Sequence, residues 1–517
     1  MKRIVSILIA LLLVLAMVPV MASGEETIKR QENGLPDFEG RVFTIWYRNR
    51  QAQNAEDLGT FHNVQKLEEL LNCDIQFIHP PEAQVAEHFA ITMAEDKLPD
   101  MIFCKGIDNY YPGGLTAAYD DGILFDYTDL INETNTPNFV KVMMEDPWVG
   151  PLMKDDYGRI VRLGAKMQGA ADCDYWYEGI YGRSDLLAAT GLEKPTTIEE
   201  FYNVLTAMKA NGVEYPYSCG ATGLKYFAFA YDIVYDDFYL GTDGSVKYGP
   251  YDAENYKAFL TEMNKWYSEG LIHPDFMSEE GVNQIALMME GKAGIVGGHI
   301  WNWPFEYNVT NTNEEAKLTA YPYPKLTEDQ VIELRYNGRS MDDYKYITAD
   351  AEDPLACVVL LDTLYIPEIS YMMGDGIEGK AWEYNDVGVP QGFTEVEDVL
   401  DKGISEWHMY EDASAANVDN KWSKEAGDAI RLWGEAGTSR RIPGNERFLF
   451  YTTEEAEIRA NCKADIQTYA SEMFLKFVVG TESLDNFDAY IAQLEAMGVK
   501  DLIAVQQAAY DRLLARY

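Results

Sequence analysis

The sequence predicts an α/β protein with two or three domains, and three observations lead to this fold class. Short strands rich in β-branched and aromatic residues alternate with helical segments over most of the chain. The 517 residues exceed the usual size of one domain, and 47% of them are hydrophobic, which is enough for a core in each domain. The sequence shows no internal repeat and no low-complexity linker, so we expect short connections between domains.

The first elements are predicted to alternate regularly between strand and helix. They are a strand at 41–46, a helix at 61–72, a strand at 74–78, a helix at 83–96 and a strand at 100–104. This alternation predicts a largely parallel sheet, and ligands of such sheets bind beyond the carboxyl ends of the strands. The segments Trp46–Arg50 and Lys105–Gly106 lie at those ends.

The alternation continues through the rest of the chain. Thr196 or Thr197 is predicted to cap a helix that reaches Asn211 and carries Glu199 and Glu200 in its first turn. Gly270 is predicted to end another long helix. The remaining elements are strands at 159–163 and 180–183, the helix at 252–269, a buried strand or tight turn at 294–298, and nearly continuous helix from 460 to 517.

The N-terminus has the pattern of a secretory signal peptide. Lys2 and Arg3 precede an apolar run from Ile4 to Val18, and small residues predict cleavage after Ala22. A run of about 15 apolar residues is shorter than the roughly 20 that span a bilayer. No cysteine follows the run as an acceptor for a lipid anchor. We therefore expect an exported protein, at the cell surface or in the periplasm, without lipidation.

The chain is strongly acidic, with 42 Lys+Arg against 85 Asp+Glu and a net charge of -43 at pH 7. Nucleic-acid binding depends largely on cations that displace counterions, so we exclude nucleic acid as a partner. The charge also disfavours anionic lipid and polyanionic ligands, unless a local basic cluster overrides it. Arg48, Arg50 and Arg183 are candidates for such a cluster.

Cysteine, histidine and glycine patterns argue against metal and cofactor chemistry. The six cysteines are widely scattered, and we interpret them as mostly buried small hydrophobic residues whose pairing stays open. No histidines form a close ligand pair, so we predict no metal site. Gly374–Gly379 matches G-x-G-x-x-G but follows a predicted helix, which argues against a dinucleotide cofactor. Thr242–Ser245 is typical of a hairpin turn and not of a calcium loop.

Aromatic residues cluster with polar neighbours in predicted loops of this chain, which has 10 Trp and 35 Tyr. Aromatic faces pack on the C–H faces of sugar rings, and neighbouring polar side chains bond the hydroxyl groups. The clusters predict a carbohydrate-binding cleft, although each single aromatic residue also suits a core. The clusters are Trp46–Asn49, Tyr175–Glu178, Trp301–Trp303 and Trp382–Tyr384.

Motifs along nearly all of the predicted mature chain follow the order and spacing of a known family. They are Leu98–Ile102, Asp121–Leu130, Tyr181–Leu187, Thr190–Leu192, Pro195–Thr197, Met263–Ile272, Gly291–Gly294, Leu361–Asp362, Gly376–Lys380, Phe477–Thr481 and Phe487–Tyr490. Together they resemble the family 1 extracellular solute-binding proteins of bacterial ABC importers, the group that includes oligosaccharide and alginate binders.

The resemblance implies a two-lobed periplasmic-binding-protein-like fold of type II, in which a hinge joins two α/β lobes and the ligand binds between them. It implies a monomer without catalytic activity, whose closure is sensed by a membrane permease. By analogy, the N-terminal lobe takes 38–160 and 310–385. The C-terminal lobe takes 161–309 and 386–517, and residues 1–22 are the signal peptide.

The resemblance and the aromatic clusters together predict an oligosaccharide ligand, and the net charge favours a neutral one. Trp301, Trp303 and Trp382 are predicted to stack on sugar rings, so Trp301→Ala or Trp382→Ala is expected to weaken binding by about 1–3 kcal/mol. The other predicted ligand-binding residues are Asn49, Arg183, Asn302 and Glu378 for hydroxyl groups, and Trp46, Trp176 and Tyr177 for the walls.

Two other functions stay open on the sequence. A binder of peptide or another small solute with the same fold would differ only in ligand class. A secreted glycoside hydrolase would share the export signal and the aromatic clusters, and it needs only two suitably spaced carboxylates. With 85 acidic residues in the chain, such a pair is too unspecific to indicate an enzyme.

Overall fold

The structure is a computed structural model that describes residues 27–48, 57–80, 84–145, 149–168, 178–220, 223–277, 283–334, 341–386, 388, 390–393, 395–404, 406–412, 418–419, 423–435, 437–439 and 449–516. The predicted signal peptide at 1–22 lies outside these residues. So do Cys173 and three predicted ligand-binding residues, Asn49, Trp176 and Tyr177.

A six-stranded sheet forms the core of the first lobe. Its strands, in spatial order, are Tyr410–Asp412, Leu163–Gln168, Met341–Ile347, Met101–Phe103, Arg41–Tyr47 and Cys73–Ile78. The last three strands pair in parallel, as the regular alternation predicts. Met341–Ile347 is antiparallel to both of its neighbours, so the sheet is mixed, but its other five strands run in the same direction, as the prediction of a largely parallel sheet requires. The chain enters that strand from the other lobe and not through a βαβ connection.

A four-stranded sheet forms the core of the second lobe. Its strands, in order, are Leu318–Tyr321, Glu178–Arg183, Ala293–His299 and Tyr215–Ser218, of which only the last two pair in parallel. Within the part of the chain that is described, three two-stranded sheets accompany the two large ones. They pair Phe238–Leu240 with Val246–Tyr248, Ile332–Leu334 with Gly437–Ser439, and Trp382–Tyr384 with Pro390–Gly392.

Helices cover both sheets. Those packed with the first lobe are His62–Leu71, Val85–Thr92, Gly114–Asp120, Pro137–Glu145, Val149–Met153, Pro354–Thr363 and Pro367–Asp375. The remaining α-helices are Ser184–Thr190, Ile198–Ala210, Lys225–Ala228, Ala253–Ser268, Gln284–Met289, Asn308–Thr310, Lys424–Glu435, Thr453–Val479, Phe487–Ala496 and Val499–Leu514. Trp301–Tyr307 forms a π-helix that contains Pro304.

For three strands, the observed lobe differs from the lobe that the predicted boundaries assign. Leu163–Gln168 and Tyr410–Asp412 belong to the first sheet, and Leu318–Tyr321 belongs to the second. In sequence, the change from one lobe to the other therefore falls between the strands Leu163–Gln168 and Glu178–Arg183, between Leu318–Tyr321 and Met341–Ile347, and between the strand Tyr410–Asp412 and the helix Lys424–Glu435. A strand joins a sheet through backbone hydrogen bonds to partners that are distant in sequence, so local patterns do not assign it to a lobe.

Local signals predicted the helix ends well. Thr197 caps the helix Ile198–Ala210 through a capping box with Glu200, and Gly270 follows the helix Ala253–Ser268 with a φ of 65°. Thr242–Ser245 is the predicted hairpin turn, between Phe238–Leu240 and Val246–Tyr248. These outcomes confirm the predicted elements, because caps and turns depend on residues close in sequence.

The described cysteines carry no disulfide, and three of them, Cys104, Cys219 and Cys357, are buried. Burial raises the pKa of the Cys73 and Cys104 thiols to about 12, so both stay protonated. Within the described ranges, no single helix has the length and apolarity to cross a membrane. Pro354–Thr363 and Pro367–Asp375 reach that length only as a pair bent by 86°.

Candidate functional site

A cavity of about 680 Å³ separates the first lobe from the long helix Thr453–Val479, and we call it the interlobe cavity. The first lobe contributes the loop that follows the strand Met101–Phe103, together with Tyr344. The opposite wall is the first half of the long helix and the segment before it. The lining residues are Lys105, Gly106, Asp108, Asn109, Tyr111, Gly113, Gly114, Tyr344, Leu449, Tyr451, Ala456, Arg459, Ala460, Lys463, Ala464 and Gln467.

Backbone and side-chain hydrogen bonds hold the first-lobe wall in place. The Cys104 N–H donates to the Tyr344 carbonyl over 3.0 Å, and the Leu115 N–H donates to Asp108 Oδ1 over 2.9 Å. Gly114 has a φ of 71°, and a Cβ there would lie 2.4 Å from Asp108 Oδ1. Glycine is therefore needed for the loop to close on Asp108.

Tyr111 supplies an aromatic face to the first-lobe wall. Its hydroxyl donates to Asp121 Oδ2 over 2.8 Å, and burial raises the pKa of this hydroxyl to about 12. The group is thus protonated at neutral pH, and the bond to Asp121 fixes the ring at the edge of the cavity.

The opposite wall is one face of a well-capped helix. Thr452 and Glu455 form a reciprocal capping box at the start of Thr453–Val479. Lining residues recur at helical spacing on one face, as Ala456, Arg459, Ala460, Lys463, Ala464 and Gln467. Apolar residues of the same helix, such as Ile466 and Phe474, are buried. The helix thus packs one side into the second lobe and turns a polar side to the cavity.

Arg459 is held in a defined position on this face. Its Nη1 donates to Gln506 Oε1 over 3.2 Å, and its guanidinium carbon lies 3.7 Å from the centroid of the Tyr451 ring. The Tyr451 hydroxyl donates to the same Gln506 oxygen over 2.6 Å. These contacts orient the guanidinium group beside the cavity.

The local charge of the lining is opposite to that of the whole chain. Among the described lining residues, Lys105, Arg459 and Lys463 are cations and Asp108 is the one carboxylate. The chain as a whole has a net charge of -43. We call Lys105, Arg459 and Lys463 the cationic group.

A further cation lies behind the wall. Arg162 is 2% exposed, and its guanidinium carbon lies 4.2 Å from the centroid of the Tyr344 ring and 4.7 Å from that of Phe450. Its Nε and Nη2 atoms have no hydrogen-bond partner among the described residues. Tyr344 lines the cavity and Phe450 follows the lining residue Leu449, so this charge lies close to the cavity in a buried environment.

The predicted tryptophans whose side chains are described are packing residues instead of cavity residues. Trp46 is fully buried, with Nε1 3.3 Å from His88 Nδ1 and its ring edge-to-face with Phe89. Trp303 is 4% exposed and packs against Gly298. Trp382 is 2% exposed, and its Nε1 donates to the Gly376 carbonyl over 2.7 Å.

The predicted polar residues are also distant from the lining. The guanidinium group of Arg183 pairs with Asp185 and donates to the Met288 carbonyl. Both contacts lie inside the second lobe. Asn302 and Glu378 are exposed, but neither lines the interlobe cavity. The backbone of Trp301 is described and its side chain is not. The structure therefore brings none of the described predicted residues into this cavity.

Sequence reasoning missed the long helix as a wall of the site, although it placed Lys105 and Gly106 at the ligand-binding edge of the first sheet. A signal was present in the alternation of alanine with Arg459, Lys463 and Gln467 at helical spacing. The aromatic clusters did not point to this cavity, because a tryptophan beside polar residues in sequence packs equally well into a core, and their role in ligand binding stays a prediction.

One candidate metal group occurs among the described residues. Ligand atoms of His62, Asp398 and Asp401 lie within 4.8 Å of one another. Asp401 already accepts from His62 Nδ1 at 2.6 Å and from Lys380 Nζ at 2.9 Å. These bonds tie the helix His62–Leu71 to the segment near 400, and the pairing with Lys380 makes the group a poor cation site.

Comparisons with known proteins agree with the two-lobed fold. No protein-family model matches the chain. The fructooligosaccharide ABC transporter substrate-binding protein FusA of Streptococcus pneumoniae is 23% identical over 488 residues, 87% of each chain. The polygalacturonan/rhamnogalacturonan-binding protein YtcQ of Bacillus subtilis is 22% identical over 535 residues, 97% of this chain and 98% of its own.

Solved structures extend the likeness to three dimensions. FusA in complex with kestose superimposes with a TM-score of 0.72 at 20% identity, covering 92% of this chain and 100% of FusA. The alginate-binding protein AlgQ2 without calcium superimposes with a TM-score of 0.70 at 19% identity, covering 92% of this chain and 98% of the AlgQ2 chain. The resemblance and the fold class predicted from the sequence are confirmed.

Proposed function

We propose that this chain is the extracellular substrate-binding component of an ABC importer, which captures an oligosaccharide between its two lobes and delivers it to a membrane permease. FusA and YtcQ, which match the chain over most of its length, are both named as binders of saccharides. Their ligands differ, so the relatives support the class of ligand and leave its identity open.

The interlobe cavity is the observation that carries the proposal. It lies at the carboxyl end of a strand of the first sheet, where α/β sheets bind ligands, and a second lobe closes its other side. Tyr111, Tyr344 and Tyr451 provide aromatic faces, while Asn109 and Gln467 provide donors and acceptors for hydroxyl groups. This combination of flat apolar faces and neutral polar groups suits sugar rings.

The proposed role involves binding and release without chemistry. Closure of the lobes around a ligand is stabilised only if the ligand binds the closed form more tightly than the open form. A cavity with one wall on each lobe meets this condition, because a ligand contacts both walls only when they are close together. The permease would then recognise the closed protein.

The remaining parts of the proposal concern state and location. We propose that the protein acts as an exported monomer at the cell surface or in the periplasm and is not an enzyme. The relatives are named as binding proteins, and the described lining offers Asp108 without the second carboxylate that glycoside hydrolysis requires.

A thermal-shift screen of residues 23–517 against neutral and acidic oligosaccharides tests the function. A ligand that binds only the native state raises the melting temperature by mass action. We expect stabilisation by one class of saccharide, with the saccharide recovered intact. Recovery of shortened products would identify a glycoside hydrolase, and stabilisation by peptides alone would contradict the saccharide ligand.

A further inference from the structure

We infer that the ligand of the interlobe cavity is an acidic oligosaccharide, whose carboxylate groups are bound by Lys105, Arg459 and Lys463. The inference rests on the proposed function and specifies the substrate class of the same site. It differs from the neutral ligand that the net charge favours.

The cationic group faces the ligand from both sides of the cavity. Lys105 belongs to the first-lobe loop, whereas Arg459 and Lys463 belong to the long helix. The chain has about twice as many acidic as basic residues, yet the described part of this surface carries three cations and one carboxylate. A carboxylate between the walls would be attracted to both lobes and would favour closure.

The helix geometry lets these cations reach a bound sugar. Ala460 and Ala464 directly follow Arg459 and Lys463 and also line the cavity. Their small side chains leave room for a ring to approach the helix, while the longer cationic side chains extend beside it. Arg459 presents a planar guanidinium group already oriented by Tyr451 and Gln506, and this geometry suits a carboxylate.

Among the described lining residues the balance is three cations to one carboxylate, and two acidic groups of the first lobe bear on it. Asp108 accepts a hydrogen bond from the Leu115 N–H, which stabilises its own loop. Burial and the nearby Asp343 raise the pKa of the Glu406 carboxyl group to about 7, although the positive charge of Lys105 lowers it. Much of this carboxyl group is therefore neutral near neutral pH. Arg162 adds a buried positive charge behind Tyr344.

The net charge of the chain is a poor guide to this surface because salt screens distant charges. At physiological ionic strength the screening length is about 8 Å, so cations in contact with the ligand act more strongly than acids on the far surface. The local lining therefore decides the sign of the ligand charge.

The experiment measures binding by calorimetry on residues 23–517. The probes are trigalacturonate and an alginate trisaccharide, the methyl ester of each, and the neutral trisaccharide kestose. We expect at least one acid to bind about tenfold or more tightly than its ester, because charge-assisted hydrogen bonds are lost on esterification. The affinity for the acid should also fall as salt is added.

Variants assign the effect to the cationic group. Arg459→Gln and Lys463→Gln should each weaken binding of the acid about tenfold, whereas Arg459→Lys, which keeps the charge, should weaken it less. Lys476→Gln is the matched control, since Lys476 lies on the same helix but pairs with Glu472 away from the cavity. Melting temperatures confirm that each variant is folded.

The outcomes separate this inference from the proposed function. If kestose or the esters bind as tightly as the acids, and the glutamine variants leave affinity unchanged, the acidic ligand is wrong while saccharide capture stands. If no saccharide of either kind binds in the wider screen, both are wrong.

Discussion

Glu406 shows how a single buried group beside the cavity makes stability depend on pH. The residue is 8% exposed. Burial, and then repulsion by Asp343, raises the pKa of its carboxyl group from 4.5 to about 7, although Lys105 and Lys345 act in the opposite direction. Lys345 Nζ also donates to the Glu406 carbonyl over 2.6 Å. The folded protein therefore favours the protonated carboxyl group.

We expect Glu406→Gln to remove a pH-dependent loss of stability. A raised carboxyl pKa contributes stability that is complete below about pH 4.5 and is lost as the pH rises through about 7. The unfolding free energy of Glu406→Gln relative to wild type should thus increase between these values, by on the order of 3 kcal/mol. Urea unfolding at several pH values measures it.

The comparison between variant and wild type isolates Glu406 from other buried acids. The pKa of Asp362 is also raised, to about 6, mainly by burial, but this residue is present in both proteins and its effect cancels. A difference that stays constant from pH 4.5 to pH 8 would contradict the assignment.

Trp382 illustrates a residue whose predicted role changes once its neighbours are known. Its ring packs on Tyr371 and Tyr384, with centroid distances of 6.0 Å and 5.1 Å. We expect Trp382→Ala to lower the unfolding free energy by about 3–5 kcal/mol, because it leaves a cavity and removes the hydrogen bond to Gly376. Chemical denaturation measures this change.

Trp382→Phe provides the control, since it keeps an aromatic ring and loses the indole N–H. It should destabilise less than Trp382→Ala, and both variants should keep the ligand affinity of wild type. A loss of affinity at unchanged stability would restore the ligand-stacking role that the sequence predicted.

At the scale of elements, the helix Thr453–Val479 lines two neighbouring cavities. Gln467 lines both the interlobe cavity and a second cavity of about 180 Å³. The second cavity is lined by Tyr235, Tyr248 and Phe474, among others. Gln467 is therefore the residue at which a longer ligand in the interlobe cavity would meet the second cavity.

We expect affinity to rise with the length of the oligosaccharide until the ligand fills the interlobe cavity and extends past Gln467. Calorimetry with di- to hexasaccharides of the class found in the screen measures the trend. Gln467→Ala should weaken binding of the longer chains more than that of disaccharides, because Gln467 lies where the two cavities meet. Equal affinity for all lengths would show that the ligand occupies the interlobe cavity alone.

At the scale of the whole molecule, Asp156 ties the first lobe to the C-terminal helix Val499–Leu514 and the residues after it. Arg512 Nε donates to Asp156 Oδ2 over 2.6 Å, and Arg516 pairs with Asp156 Oδ1. The Arg516 side chain is 8% exposed and that of Asp156 is 14% exposed. Arg512 also pairs with Glu455 at the start of the long helix. One carboxylate thus links parts of the chain that are far apart in sequence.

We expect Asp156→Asn to lower the unfolding free energy by about 1–3 kcal/mol, because it leaves a mostly buried Arg516 without its carboxylate. Calorimetry measures the melting temperature. Asp428→Asn is the control, since its pairs with Lys424 and Arg431 are more exposed and should contribute little. If both substitutions lowered the melting temperature equally, the ion pairs of Asp156 would contribute no more to stability than the exposed pairs of Asp428.

Most elements were predictable because their signals are local. The strand Arg41–Tyr47, the capped helix Ile198–Ala210 and the turn at Thr242–Ser245 depend on residues within a few positions of one another. The assignment of Leu318–Tyr321 to the second sheet was not predictable, since its partner strand Glu178–Arg183 lies far away in sequence.

The sequence by itself determined the α/β class, the order of most elements and, through its motifs, the resemblance to two-lobed solute-binding proteins. Only the tertiary structure decided which polar residues meet. Lys105 and Arg459 are separated by most of the chain, and they line one cavity because the long helix packs beside the first lobe. Trp46 and Trp382 are buried for the same reason: burial depends on long-range packing, which the residue types alone do not specify.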